Sequence, residues 1–211
     1  MIKALDLSFS FGSKKVLNKI NFEAQLGQSI EISGDNGSGK TTFLKNLAGL
    51  LTPSHGQVLI DNLNTKTDFL KVKNIIAYVG VSDGGFFSRL TGLKNLSLLS
   101  EFYGLDESAL KIKVDELGQY FDLGPILKTP FVEMSTGMKQ LLRITLSLVS
   151  SHKVLLLDEP LRSLDKKNRT GLVKLLSEKP LDRLLVYSNH LDLEWQPLKP
   201  RTYHLANGRF L

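Results

Sequence analysis

The sequence predicts an α/β fold: a core of parallel strands, an antiparallel β portion toward the N-terminal side, and an inserted helical lobe at about residues 83–150. Three observations carry this prediction. Gly34-Asp35-Asn36-Gly37-Ser38-Gly39-Lys40-Thr41 fits the P-loop pattern G-x-x-x-x-G-K-[ST], with a strand-like run at residues 28–33 before it and a helix-like run at 42–50 after it. Val154-Leu155-Leu156-Leu157 is a continuous apolar run between polar residues, as suits a parallel strand buried on both faces. Between about 90 and 150 the apolar residues instead recur at helical spacing.

Taken in order, residues 2–7, 16–24 and 29–33 read as strands separated by the turn signals Gly12-Ser13 and Leu26-Gly27. After the P-loop helix, Pro53-Ser54-His55-Gly56 reads as a turn, and residues 57–61 and 74–79 as strands. In the helical lobe, Leu93, Leu96, Leu99 and Phe102 predict one buried helix face, and Leu110, Val114, Leu117 and Phe121 a second. A helix at 169–177 and a strand at 184–188 follow the strand at 154–157, the alternation of an α/β sheet. No internal repeat or low-complexity segment interrupts the chain, whose length could hold one large domain or two small ones and which is read as a single domain over 1–211.

The 211 residues are 42% hydrophobic, enough for a packed core. With no cysteine, disulfides and thiolate metal sites are excluded. Nothing near the N-terminus resembles a secretory segment, and no run approaches the roughly 18 apolar residues of a membrane span, so a cytoplasmic protein is expected. The net charge is +6, but its basic residues are scattered, which reads as a solvated surface with no nucleic-acid partner.

The chemistry begins at the P-loop. Its glycines let consecutive N–H groups of residues 34–42 turn around the α- and β-phosphates; Lys40 reaches the β- and γ-phosphates, Thr41 ligates magnesium, and Thr42 opens the helix. The phosphates then sit on a helix N-terminus. Asp158-Glu159-Pro160 follows the buried strand, at the end of an α/β sheet where ligands bind. One carboxylate can hold magnesium and its neighbour can activate the attacking water, although Asp-Glu after a strand is also a common helix-starting pair.

At this point the chain resembles the ATP-binding subunit of ABC transporters, and the resemblance runs through nearly its whole length. Met134-Ser135-Thr136-Gly137-Met138 is similar to the family's signature loop, just upstream of the acidic strand. Ser163-Leu164-Asp165 resembles the D-loop, His190 the switch histidine that contacts the γ-phosphate, and Phe11 the aromatic that stacks on adenine, with Phe9 as its rival. The resemblance implies a RecA-like core, ATP and Mg2+ as ligands, Asp158 and Thr41 on the metal, Glu159 as base, and Ser135 and Gly137 completing the site of a partner subunit. It further implies ATP-dependent pairing, as a homodimer or with a homologous ATPase, and docking through the helical lobe and the loop around 82–90 onto separate transmembrane permease subunits at the inner face of the membrane.

The chain also departs from that pattern. Where the family carries a glutamine near magnesium, the sequence reads Gly80-Val81-Ser82-Asp83-Gly84-Gly85, leaving Ser82 or Asp83 to take the metal-linked role. Thr136 and Met138 replace the commoner Gly and Gln of the signature, and Leu141 a frequent arginine. The short chain and its S-T-G-M-K-Q signature resemble exporter-type members, among them the compact haem-exporter ATPase of cytochrome c maturation. A rival class, ABC ATPases acting on ribosomes or DNA, usually carries two cassettes or long insertions. Cargo is not written in the shared motifs.

Overall fold

The computed structural model describes residues 1–80, 84–178, 182–189 and 193–211. They fall into two compact units, one made of Met1–Tyr78, His152–Glu159 and Pro180–Leu211, the other of Val79–Ser151 and Pro160–Lys179. The first unit carries, in chain order, strands β1 (Ile2–Phe11), β2 (Lys14–Ala24) and β3 (Ser29–Ser33), helix α1 (Lys40–Leu47), strands β4 (His55–Ile60) and β5 (Leu63–Asn64), and the single-turn helix α2 (Phe69–Val72). Strand β6 (Ile76–Val79) stands at its boundary, and β7 (Val154–Leu157), β8 (Leu184–Ser188), β9 (Arg201–Ala206) and β10 (Arg209–Phe210) complete it.

An antiparallel sheet has the order β2-β1-β4-β5, and a six-stranded sheet the order β10-β9-β3-β8-β7-β6, in which β9, β3, β8 and β7 run parallel. Strand β1 is longer than its sequence suggests. Ile2 and Ala4 point inward, but so do Leu7 and Phe9, which lie in the opposite phase. A register shift between Ala4 and Leu7, with Asp6 at φ 48°, resets the alternation and lets pairing continue to Phe11↔Lys14. Helix α1 begins earlier than expected, at Lys40, and stops before Gly49, whose φ of 71° suits a helix-ending glycine.

Aromatic rings anchor α1. Phe43 lies edge-on to Phe22 of β2 at 5.3 Å and to Phe210 of β10 at 5.1 Å, and Tyr203 of β9 meets Phe22 at 5.3 Å. Each such pair contributes about 0.5–1.5 kcal/mol beyond its buried area, and together they pin the helix that leaves the P-loop.

The second unit contains α3 (Gly92–Glu101), α4 (Glu107–Leu117), α5 (Gly124–Lys128), α6 (Thr136–Val149) and α7 (Lys166–Glu178). Helix α6 packs against α3, α4 and α5 and buries Leu141, Leu142, Ile144 and Val149. The α4 face is as the spacing predicts, since Leu110, Val114, Leu117 and the following Phe121 are all buried. The α3 face is not. Leu96 is buried, but Leu93 is 49% and Phe102 81% exposed, and Leu99 is half-buried. The helix is turned by Asn95, fully buried, whose Nδ2 donates to the carbonyls of Phe87, Leu90 and Thr91 while its Oδ1 accepts from Phe87 N. Satisfying that polar side chain inside the unit leaves Leu93, on the opposite side of the helix, outside, while Phe102 lies at the C-cap where the helix ends.

Candidate functional site

Strand β3 delivers the chain to Gly34, whose φ is 142°; a Cβ there would overlap the Leu205 carbonyl of β9. Ser38 N donates to Asp35 O at 3.1 Å, closing the loop. Gly39, at φ 108°, caps α1 without any side-chain bond. The first-turn N–H groups of α1 therefore lack an intrahelical acceptor and face outward at the positive end of the helix. Lys40 is nearly buried, and its Nζ donates to Gly34 O at 2.7 Å and Asp35 O at 3.0 Å, which holds the ammonium across the loop. The buried Ser38 Oγ has no hydrogen-bond partner. Free donors, a fixed cation and an orphaned hydroxyl together suit a phosphate group.

This loop opens into a cavity of about 800 Å³ lined by residues 35–42, by Phe11, Lys14, Lys15 and Val16, by Glu159, and by residues 205–208. Phe11 is 56% exposed there, while Phe9, whose ring centroid lies 4.8 Å away, belongs to the core. Residues 205–208 belong to none of the nucleotide-site motifs, yet Asn207-Gly208 is a hairpin signal. Both residues have positive φ, and the β9–β10 turn they form brings Gly208 O to accept from Asn18 N at 2.8 Å.

Asp158 and Glu159 follow β7. Asp158 is buried; its Oδ1 accepts from Ser188 Oγ at 2.7 Å and its Oδ2 from the Tyr78 hydroxyl at 3.1 Å. Burial first, then the Asp158 charge, pushes the Tyr78 hydroxyl far above its ordinary range, so it stays protonated. Glu159 is half-buried, and its N–H donates to Ser188 Oγ at 2.8 Å. That bond accompanies a φ of 47°, a left-handed conformation costly for a non-glycine residue. Neither Tyr78 nor Ser188 carries a sequence signature; only their strand-end positions hint at them. The Thr41 hydroxyl and the Asp158 carboxylate are hard oxygen donors of the kind magnesium takes alongside phosphate oxygens.

In the second unit, Ser135, Gly137 and Asp165 line a cavity of about 500 Å³. Ser135 is exposed and caps α6, its Oγ accepting from Met138 N at 3.2 Å, which leaves its own proton available to donate. Gly137 lies against the Ser163 carbonyl, which a Cβ would overlap. Asp165 serves the start of α7, accepting from Asn168 N and Asn168 Nδ2, each at 2.8 Å. Ser82, Asp83 and His190 lie outside the described residues.

Comparison with known proteins agrees with this geometry. A family model described as "ABC transporter" matches residues 17–162. The lantibiotic transport ATP-binding protein SrtF of Streptococcus pyogenes is 32% identical over 213 residues, spanning 100% of this chain and 89% of its own. The cytochrome c biogenesis ATP-binding export protein CcmA of Legionella pneumophila is 28% identical over 206 residues, spanning 97% of this chain and 100% of its own. A dimeric post-hydrolysis structure of the ATP-binding cassette MJ0796, bound to ADP and Pi, shares the fold with a TM-score of 0.80 at 24% identity, covering 100% of this chain and 96% of that one. The P-loop cradle, the Asp158-Glu159 pair and these matches establish that the chain belongs to the ABC transporter family, as an ATP-binding, ATP-hydrolysing subunit.

Proposed function

We propose that the chain is a single ATPase domain, residues 1–211, that pairs on binding ATP and Mg2+ and drives export of a substrate through separate transmembrane permease subunits. It works peripherally at the cytoplasmic face of the membrane, with a second copy of itself or a homologous ATPase as partner. The observation that carries this reading is the cavity in which the uncapped start of α1, Lys40 and Glu159 converge. Export is supported by the CcmA relative, described as an ATP-binding export protein, and pairing by the dimeric cassette of the same fold. Among the described residues no helix is long and apolar enough to cross a membrane.

In this reading Phe11 stacks on adenine, the amides of residues 34–42 hold the phosphates, and Lys40 neutralises charge on the β- and γ-phosphates. Thr41, Asp158 and Ser82 would hold magnesium, which when bound would supply further charge neutralisation at the phosphate oxygens. Glu159 accepts a proton from the attacking water, and His190 contacts the γ-phosphate. Ser135 and Gly137, with Asp165 beside them, present the start of α6 to the γ-phosphate of the opposing subunit. Positioning and charge neutralisation dominate phosphoryl transfer, so pairing itself switches the reaction on.

The test is a stalled enzyme. Glu159→Gln is expected to bind ATP without turnover and to sediment as a dimer with ATP and magnesium. Adding Ser135→Arg fills the space the opposing phosphate enters, giving monomers that still bind ATP. A double variant that dimerises as well as Glu159→Gln alone overturns the shared site.

A further inference from the structure

Asp158 stands at the end of β7, with β8 on one side and β6 on the other in the sheet order. From β8 the Ser188 hydroxyl reaches Oδ1 at 2.7 Å, and from β6 the Tyr78 hydroxyl reaches Oδ2 at 3.1 Å. An ionised carboxylate only accepts, so both hydroxyls are donors here. Ser188 also accepts from Glu159 N at 2.8 Å, which ties the backbone of the neighbouring carboxylate to the same serine. One hydroxyl alone would leave the Asp158 carboxylate free to turn about its last bond. Two, arriving from opposite strands, fix its plane. Each bond occupies one acceptor site on its oxygen, and about two of the group's roughly four remain for a metal or its waters.

We propose that Tyr78 is a positioning residue for magnesium: its hydroxyl, opposed by Ser188, orients the Asp158 carboxylate toward the metal that accompanies ATP. This deepens the nucleotide site described above and rests on that reading. Tyr78 touches neither phosphate nor metal in this role. Its effect passes through Asp158, and groups that orient a metal's ligands typically change metal affinity by about 10–100-fold when removed.

Tyr78→Phe removes the oxygen and keeps the ring, so packing of β6 is retained. The measurement is ATP binding by calorimetry in the Glu159→Gln background, where ATP is not consumed, as magnesium is raised from zero in the presence and absence of EDTA. Tyr78→Phe is expected to raise the magnesium concentration giving half-maximal tightening by roughly tenfold, with ATP affinity in EDTA and the melting temperature without ligand unchanged. With Glu159 restored, excess magnesium should recover kcat. Ser188→Ala, which removes the opposing donor, should raise the magnesium requirement in the same direction. An unchanged magnesium requirement in Tyr78→Phe overturns the proposal, as does a loss of ATP affinity in EDTA equal to the loss with magnesium. A parent protein whose ATP affinity ignores magnesium altogether defeats the underlying metal reading as well, and that result is read from the parent alone.

Discussion

Phe9 and Phe11 stand two positions apart on β1, and so on a regular strand would share one face. Their fates differ because a register shift between Phe9 and Ser10 breaks the alternation just before the strand ends: Phe9 is 7% exposed in the core, whereas Phe11, the last residue before the turn, is 56% exposed in the P-loop cavity. The two truncations should therefore separate. Phe11→Ala is expected to weaken ATP binding several-fold, with thermal stability close to wild type. Phe9→Ala should cost about 3 kcal/mol or more in denaturant unfolding. If Phe9→Ala alone weakened ATP binding at unchanged stability, the adenine assignment would move to Phe9. Ser135 shows a different economy at the same scale, because one hydroxyl oxygen caps α6 while its proton remains a donor.

Elements in the second unit are set by close approaches as much as by apolar stripes. Gly171 of α7 lies so near the Tyr120 carbonyl that a Cβ would fall on the oxygen. Gly171→Ala should thus lower stability by about 1–3 kcal/mol despite alanine's better helix propensity, seen as a lower denaturation midpoint; a stabilised variant would refute the contact. In the first unit, His152, just before β7, is buried. Burial holds its pKa below the ordinary imidazole value of 6.5, with the Arg183 charge acting in the same direction and a backbone bond at Lys73 opposing both. The unfolded chain then takes up the proton at higher pH than the folded one. His152 accordingly contributes stability above about pH 6.5 that is lost as pH falls through its folded value. Melting temperatures taken at about pH 7.5 and 5.5 should fall more for wild type than for His152→Gln; equal falls would remove His152 from the account.

On the scale of the whole molecule, exposed apolar residues occur in both units, and in the second several fall on and beside α3. Phe87 is 51%, Leu93 49%, Leu98 40% and Phe102 81% exposed, and Asn95 ties the loop at Phe87 to the helix bearing the rest. Apolar side chains gathered in this way suit contact with another protein, and in the proposed function that protein is the permease. The double variant Phe87→Ser and Phe102→Ser should reduce co-sedimentation with membranes carrying the permease while ATP binding persists. Unchanged sedimentation would move the docking surface elsewhere.

The sequence by itself determined the P-loop, the acidic pair after β7, the α4 face and the family, because each is written in residues a few positions apart whose backbone geometry is local. Even so, it misread α3, where apolar spacing is overruled by a buried asparagine that organises its own preceding loop. Only the tertiary structure decided which phenylalanine enters the cavity, how the Asn207-Gly208 turn joins it, and that Tyr78 and Ser188 grip Asp158. Those grips span 80 and 30 residues of chain. Their existence depends on β6, β7 and β8 being neighbours in one sheet, and strand order is a property of the packed molecule to which no short motif has access.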